Sequence, residues 1–272
     1  MNDAECARFL QWALPRMGLR WAGFRKVRRG VCKRVARRAR SLGLAGLAAY
    51  RARLEAHPGE WSVLDALCRV TISRFLRDRG MWRRLEEEVL PRLAEDALAG
   101  GEEELLCWSA GCASGEEPYS LALLWRLGCA ERFPALRLRV LATEADPRLL
   151  ERARRGAYAP ASLKELPREW VGPAFAPAGR SHLLKDAFRE GVKFFLQDIR
   201  REAPGGIFRL ILCRNLAFTY FAEDLQREVL RRLLGCLAPG GFLAIGAHES
   251  LPEGAEELPP WPGCPQIFRR GK

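Results

Sequence analysis

The residues of this chain best placed to do chemistry lie together between Ser109 and Pro118, in Ser-Ala-Gly-Cys-Ala-Ser-Gly-Glu-Glu-Pro. Gly111 and Gly115 permit positive φ and let a ligand approach the backbone, and Pro118 stands where a first helical turn should begin. A helix start presents unpaired N–H groups and partial positive charge, so the loop can hold a small anionic group. Glu116 and Glu117 would repel a pyrophosphate and favour a ligand that also carries positive charge. S-adenosylmethionine, with its carboxylate, ammonium and sulfonium, meets both conditions. The same residues also read as an ordinary loop whose acids suit the helix dipole, and the glycines alone do not choose.

Three more polar positions end apolar runs. Glu144 closes Leu141-Ala142-Thr143, where dinucleotide folds place the acid that accepts both ribose hydroxyls. It equally reads as an acid before the helix starting at Pro147, although Asp146 is the better cap. Asp198 follows Val192 to Leu196 and can accept from an exocyclic amine. Asn215 follows the buried run Leu210 to Cys213. What must position them is an alternation of strands (105–109, 137–143, 192–198, 208–213, 242–247, 265–269) with helices (118–128, 147–155, 223–237), Pro239-Gly240-Gly241 being the turn into the strand at 242. That alternation predicts an α/β fold, a parallel sheet with helices on both faces. Ligands in such sheets bind beyond the carboxyl ends of the strands, which puts Gly111, Glu144, Asp198 and Asn215 on one rim.

The run Trp108-Ser109-Ala110-Gly111-Cys112-Ala113-Ser114-Gly115-Glu116-Glu117-Pro118-Tyr119-Ser120 closely resembles the signature of the CheR family, the S-adenosylmethionine-dependent methyltransferases that esterify glutamates of bacterial chemotaxis receptors. The resemblance implies a Rossmann-like class I methyltransferase domain over 86–272, a small antiparallel insertion at about 170–191, and S-adenosylmethionine as cofactor. Ser73-Arg74-Phe75-Leu76-Arg77-Asp78 looks like the family's Thr-x-Phe-Phe-Arg-Asp, whose hydroxyl and Arg line the cofactor and substrate pocket. It implies Ser73 and Arg77 as cofactor-binding and Arg77 also as catalytic; a guanidinium fork suits a carboxylate, though Arg77 fits equally as an ion-pair partner of Asp78 or Glu86. Trp82, Leu85, Val89 and Leu90 match the family's linking helix, ending at Pro91. Gln197-Asp198-Ile199 is similar to the segment that faces the adenine, and Cys213-Arg214-Asn215-Leu216 to the family's Cys-Arg-Asn-Val. Asp198, Ile199, Asn215 and Leu216 thus join Gly111, Glu116, Glu117 and Glu144 as implied cofactor-binding residues. The family then has two residues before Tyr-Phe, whereas three precede Tyr220-Phe221 here, so the implied catalytic Tyr220 is displaced by one. Gly246-Ala247-His248-Glu249-Ser250-Leu251 resembles the family's Gly-x-x-Glu-Ser-Leu.

Residues 1–85 read as helices only, a small all-α domain. Between Arg25 and Arg40 nine basic residues alternate with Val27, Val31, Val35 and Ala39 at four-residue spacing, predicting a basic amphipathic helix within Gly23 to Leu42. It reads either as a solvated face or as a docking surface. The family resemblance implies acidic helices of a chemoreceptor as the partner. A net charge of +12 and a pI near 9.7 agree with an acidic partner. A nucleic-acid methyltransferase is the first rival, but Arg214-Asn215-Leu216 is not the Asp/Asn-Pro-Pro-Tyr motif of amino-group methylation. A binding protein that keeps the fold without turnover is the second. Nine cysteines with no Cys-x-x-Cys pair and only three histidines indicate neither a disulfide framework nor a metal site, and the cysteines read as reduced core fillers. No apolar run reaches the length of a membrane span and no secretory core follows Met1, so the expected compartment is the cytoplasm.

Overall fold

Near-continuous apolar runs of five to eight residues separated by amphipathic stretches can bury both faces only as parallel strands under helices. The computed structural model describes residues 3–271, so Met1, Asn2 and Lys272, the outermost residues of the two expected domains, lie outside it. Ten strands are formed among the described residues: β1 (Glu104–Ala110), β2 (Arg137–Glu144), β3 (Ala157–Tyr158), β4 (Phe175–Ala178), β5 (Ser181–Leu184), β6 (Val192–Leu196), β7 (Phe208–Leu212), β8 (Leu237–Ala244), β9 (Pro260–Trp261) and β10 (Cys264–Arg269). Seven of them make one sheet in the order β6-β2-β1-β7-β8-β10-β9, parallel from β6 to β8, with β10 antiparallel to both β8 and β9. The predicted α/β class with a mostly parallel sheet is therefore the observed one. From β1 the chain runs outward through β2 to β6, then returns to place β7 on the other side of β1. The switch in strand order thus falls between β1 and β7, with Ser109 opposite Leu212. β3, β5 and β4 form a separate three-stranded antiparallel sheet, of which β4 and β5 lie within 170–191, the stretch the resemblance marks as an insertion, while β3 precedes it.

The chain divides into two compact units, one running to Thr71 and taking in Thr219–Gln226, the other comprising Ile72–Phe218 and Arg227 onward. The first is helical: Asp3–Ala13, Trp21–Phe24, Arg28–Ser41, Leu47–Ala56 and Glu60–Cys68 close over Leu10, Val31, Val35, Leu54 and Leu64, all essentially without exposure. Its basic helix starts at Arg28 rather than Gly23, because Arg25 to Val27 form a turn after the short helix Trp21–Phe24. The Thr219–Gln226 segment is held by the Arg20 N–H to the Tyr220 carbonyl (2.9 Å) and the Ala222 N–H to the Gly18 carbonyl (2.7 Å).

Two expectations about boundaries fail for identifiable reasons. Pro91 does not stop its helix, which runs on as Leu90–Ala99. The turn before it, Leu85–Val89, is a π-turn in which the Leu90 N–H reaches the Leu85 carbonyl, and this widening accommodates the ring that an α-turn would clash with. Pro239-Gly240-Gly241 is not a turn before the strand but part of β8. Gly240 adopts φ +73° and the register against β7 slips between the Phe208–Leu237 and Leu210–Phe242 pairs, so the extra residues form a bulge.

The reading of all cysteines as reduced is also corrected. Cys6 and Cys32 form a disulfide between the helices Asp3–Ala13 and Arg28–Ser41, their Cα atoms 6.1 Å apart. Each sits on the buried face of its helix, so the same apolar periodicity that marks a core filler places the two opposite each other. Closing a chain loop of this size is worth about 3 kcal/mol in the chain-entropy account. Thiol titration of the unfolded, non-reduced chain should count the seven free cysteines; a count of all nine would remove the bridge.

Candidate active site

The loop after β1 is drawn against β2 by the Gly111 and Cys112 N–H groups, which both donate to the Thr143 carbonyl at 2.8 and 2.9 Å. Gly111 (φ +79°), Ala113 (φ +48°) and Gly115 (φ +91°) are left-handed. A side chain at Gly111 would overlap Leu216 Cδ2, and one at Gly115 would come within 2.9 Å of the Ala153 methyl and 3.0 Å of the Tyr158 hydroxyl. Both glycines are therefore required by close approach as well as by backbone conformation. Helix Glu116–Leu124 starts directly after Gly115.

Two carboxylates brace the strand ends. Glu144 Oε2 accepts from the Ala113 N–H at 3.0 Å, and Oε1 from the Ala145 and Asp146 N–H groups at 2.8 and 2.9 Å. Asp146 is the N-cap of Pro147–Arg155, accepting from the Arg148 N–H at 2.9 Å, as its position before Pro147 predicts. Glu144 is thus not that cap; it joins the loop after β1 to the end of β2. On the other side of β1, Glu249 Oε2 accepts from the N–H groups of Asn215 (2.7 Å) and Gly246 (2.6 Å), and Oε1 from Leu216 (3.1 Å). Asn215, at φ +55°, is held left-handed by this contact.

Arg214 is the buried centre of the third group, its side chain 3% exposed. It pairs with Asp78 at 2.8 Å and Glu117 at 3.2 Å, donates to the Arg77 carbonyl at 2.6 Å, and lies 5.2 Å from the Trp82 ring centroid. Its Nε has no partner among the described residues. Glu117 also accepts from the Ser109 hydroxyl at 2.7 Å. Burial pushes the Glu117 carboxyl above its usual range, with the Arg214 charge opposing. Burial, reinforced by Glu144 and Glu117, holds the Cys112 thiol well above its usual value, so Cys112 stays a neutral filler of the loop.

Among the remaining candidates, Glu116 is buried and accepts from the Ser114 hydroxyl at 3.0 Å. The half-buried Arg77 guanidinium donates to the Ile72 carbonyl at 3.0 Å and meets no carboxylate among the described residues; neither Asp78 nor Glu86 is its partner. The half-buried Ser73 hydroxyl makes no hydrogen bond among them. Asp198 is already engaged, paired with Arg200 at 2.7 Å and accepting from the Arg200 N–H at 3.0 Å, while the adjoining Gln197 Oε1 is a buried acceptor without a partner among the described residues. Ile199 is buried. Tyr220 belongs to the helical unit, where its ring meets the edge of Phe24 at 5.1 Å.

Arg214 and Glu249 had no role assigned from sequence. Their signals were a charged residue directly after an apolar strand and a lone acid in a Gly-x-x-Glu turn. Among the described residues no group of three or more His, Cys, Asp or Glu could hold a metal ion, and no helix is long and apolar enough to cross a membrane. The donor set fits S-adenosylmethionine. Two glycines open a backbone cradle at the strand-order switch, a guanidinium without a carboxylate stands beside a cluster with two carboxylates for one Arg, and an unsatisfied donor and acceptor remain buried.

The family profile described as CheR methyltransferase, SAM binding domain, matches residues 71–262. The chain is 33% identical over 186 residues to a chemotaxis protein methyltransferase of Listeria monocytogenes, covering 68% of each chain. It is 31% identical over 260 residues to a chemotaxis protein methyltransferase of Escherichia coli, covering 92% of this chain and 85% of the relative.

Removing Arg214 would strand two half-buried carboxylates, so Arg214→Met should cost about 3–5 kcal/mol in urea unfolding. Without the opposing charge Glu117 titrates still higher in the folded state, so the deficit should grow as pH rises through that titration and shrink below the ordinary carboxylate range. A loss under about 1 kcal/mol would show the cluster to be dispensable.

Proposed function

The chain belongs to the CheR methyltransferase family, and from that premise we propose that it moves the methyl group of S-adenosylmethionine to glutamate side chains of a chemoreceptor. The observation that carries the reading is the charge pattern at the strand-order switch. Asp78 and Glu117 face a single Arg214, two carboxyl groups for one guanidinium, whereas Arg77 stands without a carboxylate. A zwitterionic cofactor with an added sulfonium answers both.

When bound, S-adenosylmethionine supplies an electrophilic methyl group on sulfur. A glutamate carboxylate, with an ordinary pKa of about 4.3, is already ionised at neutral pH and needs no general base. What falls to the protein is to orient the carboxylate and exclude water, since opposite charges neutralise in an in-line displacement. We assign to Arg77 the carboxylate of cofactor or substrate, and to Ser73, Gly111, Glu116, Glu117, Asn215 and Leu216 the methionine end of the cofactor pocket. Glu144, Asp198 and Ile199 are assigned to its nucleoside end. Glu144 and Asp198 must then share oxygens already in use, and Gln197 offers the nearby unpaired acceptor. The aiming role of Tyr220 rests on the family resemblance.

For the partner we propose acidic receptor helices reached from the cytoplasm. Arg28 is tied to Asp3 at 2.6 Å and Arg38 to Glu60 at 2.8 Å, and Arg34 donates to the Leu67 and Arg69 carbonyls. Lys26, Arg29, Lys33, Arg37 and Arg40 are exposed and form no salt bridge among the described residues; they are spaced by three or four residues and lie opposite Val31, Val35 and Ala39. Such a stripe speeds encounter with an acidic helix more than it adds affinity.

The test is a variant carrying Arg29→Glu, Lys33→Glu, Arg37→Glu and Arg40→Glu. It should bind S-adenosylmethionine by calorimetry as the parent does, yet methylate receptor roughly tenfold more slowly at low salt and lose the parent's salt dependence. Equal rates at low salt would assign the stripe to solvent, and absence of cofactor binding in both proteins would overturn the enzymatic reading.

A further inference from the structure

We propose that Glu249 is a positioning residue for cofactor binding: its carboxylate fixes the Asn215–Leu216 loop in the shape that completes the cofactor cradle. This rests on the reading that this loop meets S-adenosylmethionine. One side chain gathers three backbone donors from two segments, Asn215 at 2.7 Å, Leu216 at 3.1 Å and Gly246 at 2.6 Å. Those contacts hold Asn215 in a left-handed conformation, which is uncommon outside glycine and which Asn tolerates better than most residues. They also carry Leu216 onto Gly111, where no side chain could stand, so the loop after β7 forms one wall of the loop after β1. The approach of Glu249 depends on Gly246, since a methyl there would lie 2.8 Å from Glu249 Oε2 and 2.9 Å from Asn215 Cγ. Arg214 directly precedes the loop, so its reach toward Glu117 and Asp78 is set from the same backbone.

Glutamine is a sharp probe of this arrangement. A carboxylate offers acceptors at both oxygens, whereas either orientation of an amide turns an NH2 donor toward at least one of the three N–H groups. Glu249→Gln keeps the size of the side chain and breaks the clamp. Gly246→Ala keeps the carboxylate and pushes on it. The dissociation constants of S-adenosylmethionine and S-adenosylhomocysteine would be measured by calorimetry for the parent and both variants, with thermal unfolding and the methylation rate at saturating cofactor alongside. Each variant should weaken both ligands by roughly tenfold while the saturated rate stays within about threefold of the parent, because preorganisation is lost and the reacting groups are kept. A purely scaffolding Glu249 would lower the unfolding temperature and leave the ligand affinity of the folded protein unchanged. Weakening of less than about fivefold in any folded variant overturns the proposal, and Gly246→Ala decides alone if Glu249→Gln does not fold. A parent that binds neither ligand would instead overturn the reading of the site as a cofactor pocket.

Discussion

Burying a guanidinium at the end of β7 is tolerable only because two carboxylates come to it from elsewhere in the chain. An unpaired ion in that position would cost several kcal/mol, and Arg214 avoids this through Glu117 at the start of Glu116–Leu124 and Asp78 before the helix Arg79–Arg84. Three segments distant in sequence must therefore arrive together. Once they do, the Arg77 carbonyl is held from two directions, by Arg214 at 2.6 Å and the Trp82 indole at 2.8 Å. The Arg77 side chain is left to the Ile72 carbonyl alone, a cation available to an anion. The same cluster explains why the glycine loop is followed by two acids: Glu116 is buried against Ser114, and Glu117 completes the ion cluster.

A second device appears twice. Glu144 and Glu249 each accept three backbone N–H groups at the end of a strand, and each stabilises a left-handed residue that is not glycine, Ala113 in one case and Asn215 in the other. Carboxylates suit this task because both oxygens accept, and the hydrogen bonds are charge-assisted. The loops on either side of the β1/β7 switch are thus held by the protein's own carboxylates, which is what an electrostatically tuned site requires.

The sheet was legible because its strands are apolar runs whose lengths and spacing leave few alternatives, and Asp146 could be read as a cap from its place before Pro147. Pro91 and Pro239 mislead for one reason: proline suggests a helix end in the first case and a turn in the second, while a π-turn and a bulge let the elements pass through. Cys6 and Cys32 fell on buried helical faces, and nothing in their spacing distinguishes a core thiol from half of a bridge. Among the site residues, Gly111 and Gly115 announced themselves by type, whereas Arg214 and Glu249 act through partners tens or hundreds of positions away. Pairings of that kind, Arg214 with Asp78 across 136 residues among them, are written in the fold and not in local spacing.

In the function proposed above, the cradle at the β1/β7 switch presents a sulfonium methyl to an already ionised carboxylate. An ester is the product that chemistry must give, and esters differ from methylated amines in one simple property. The direct measurement is to incubate the protein with methyl-labelled S-adenosylmethionine and chemoreceptor, then treat the labelled receptor with mild alkali. Label should enter the receptor and leave it as volatile methanol; label that stays on the protein through alkali, or never enters it, would contradict carboxylate methylation.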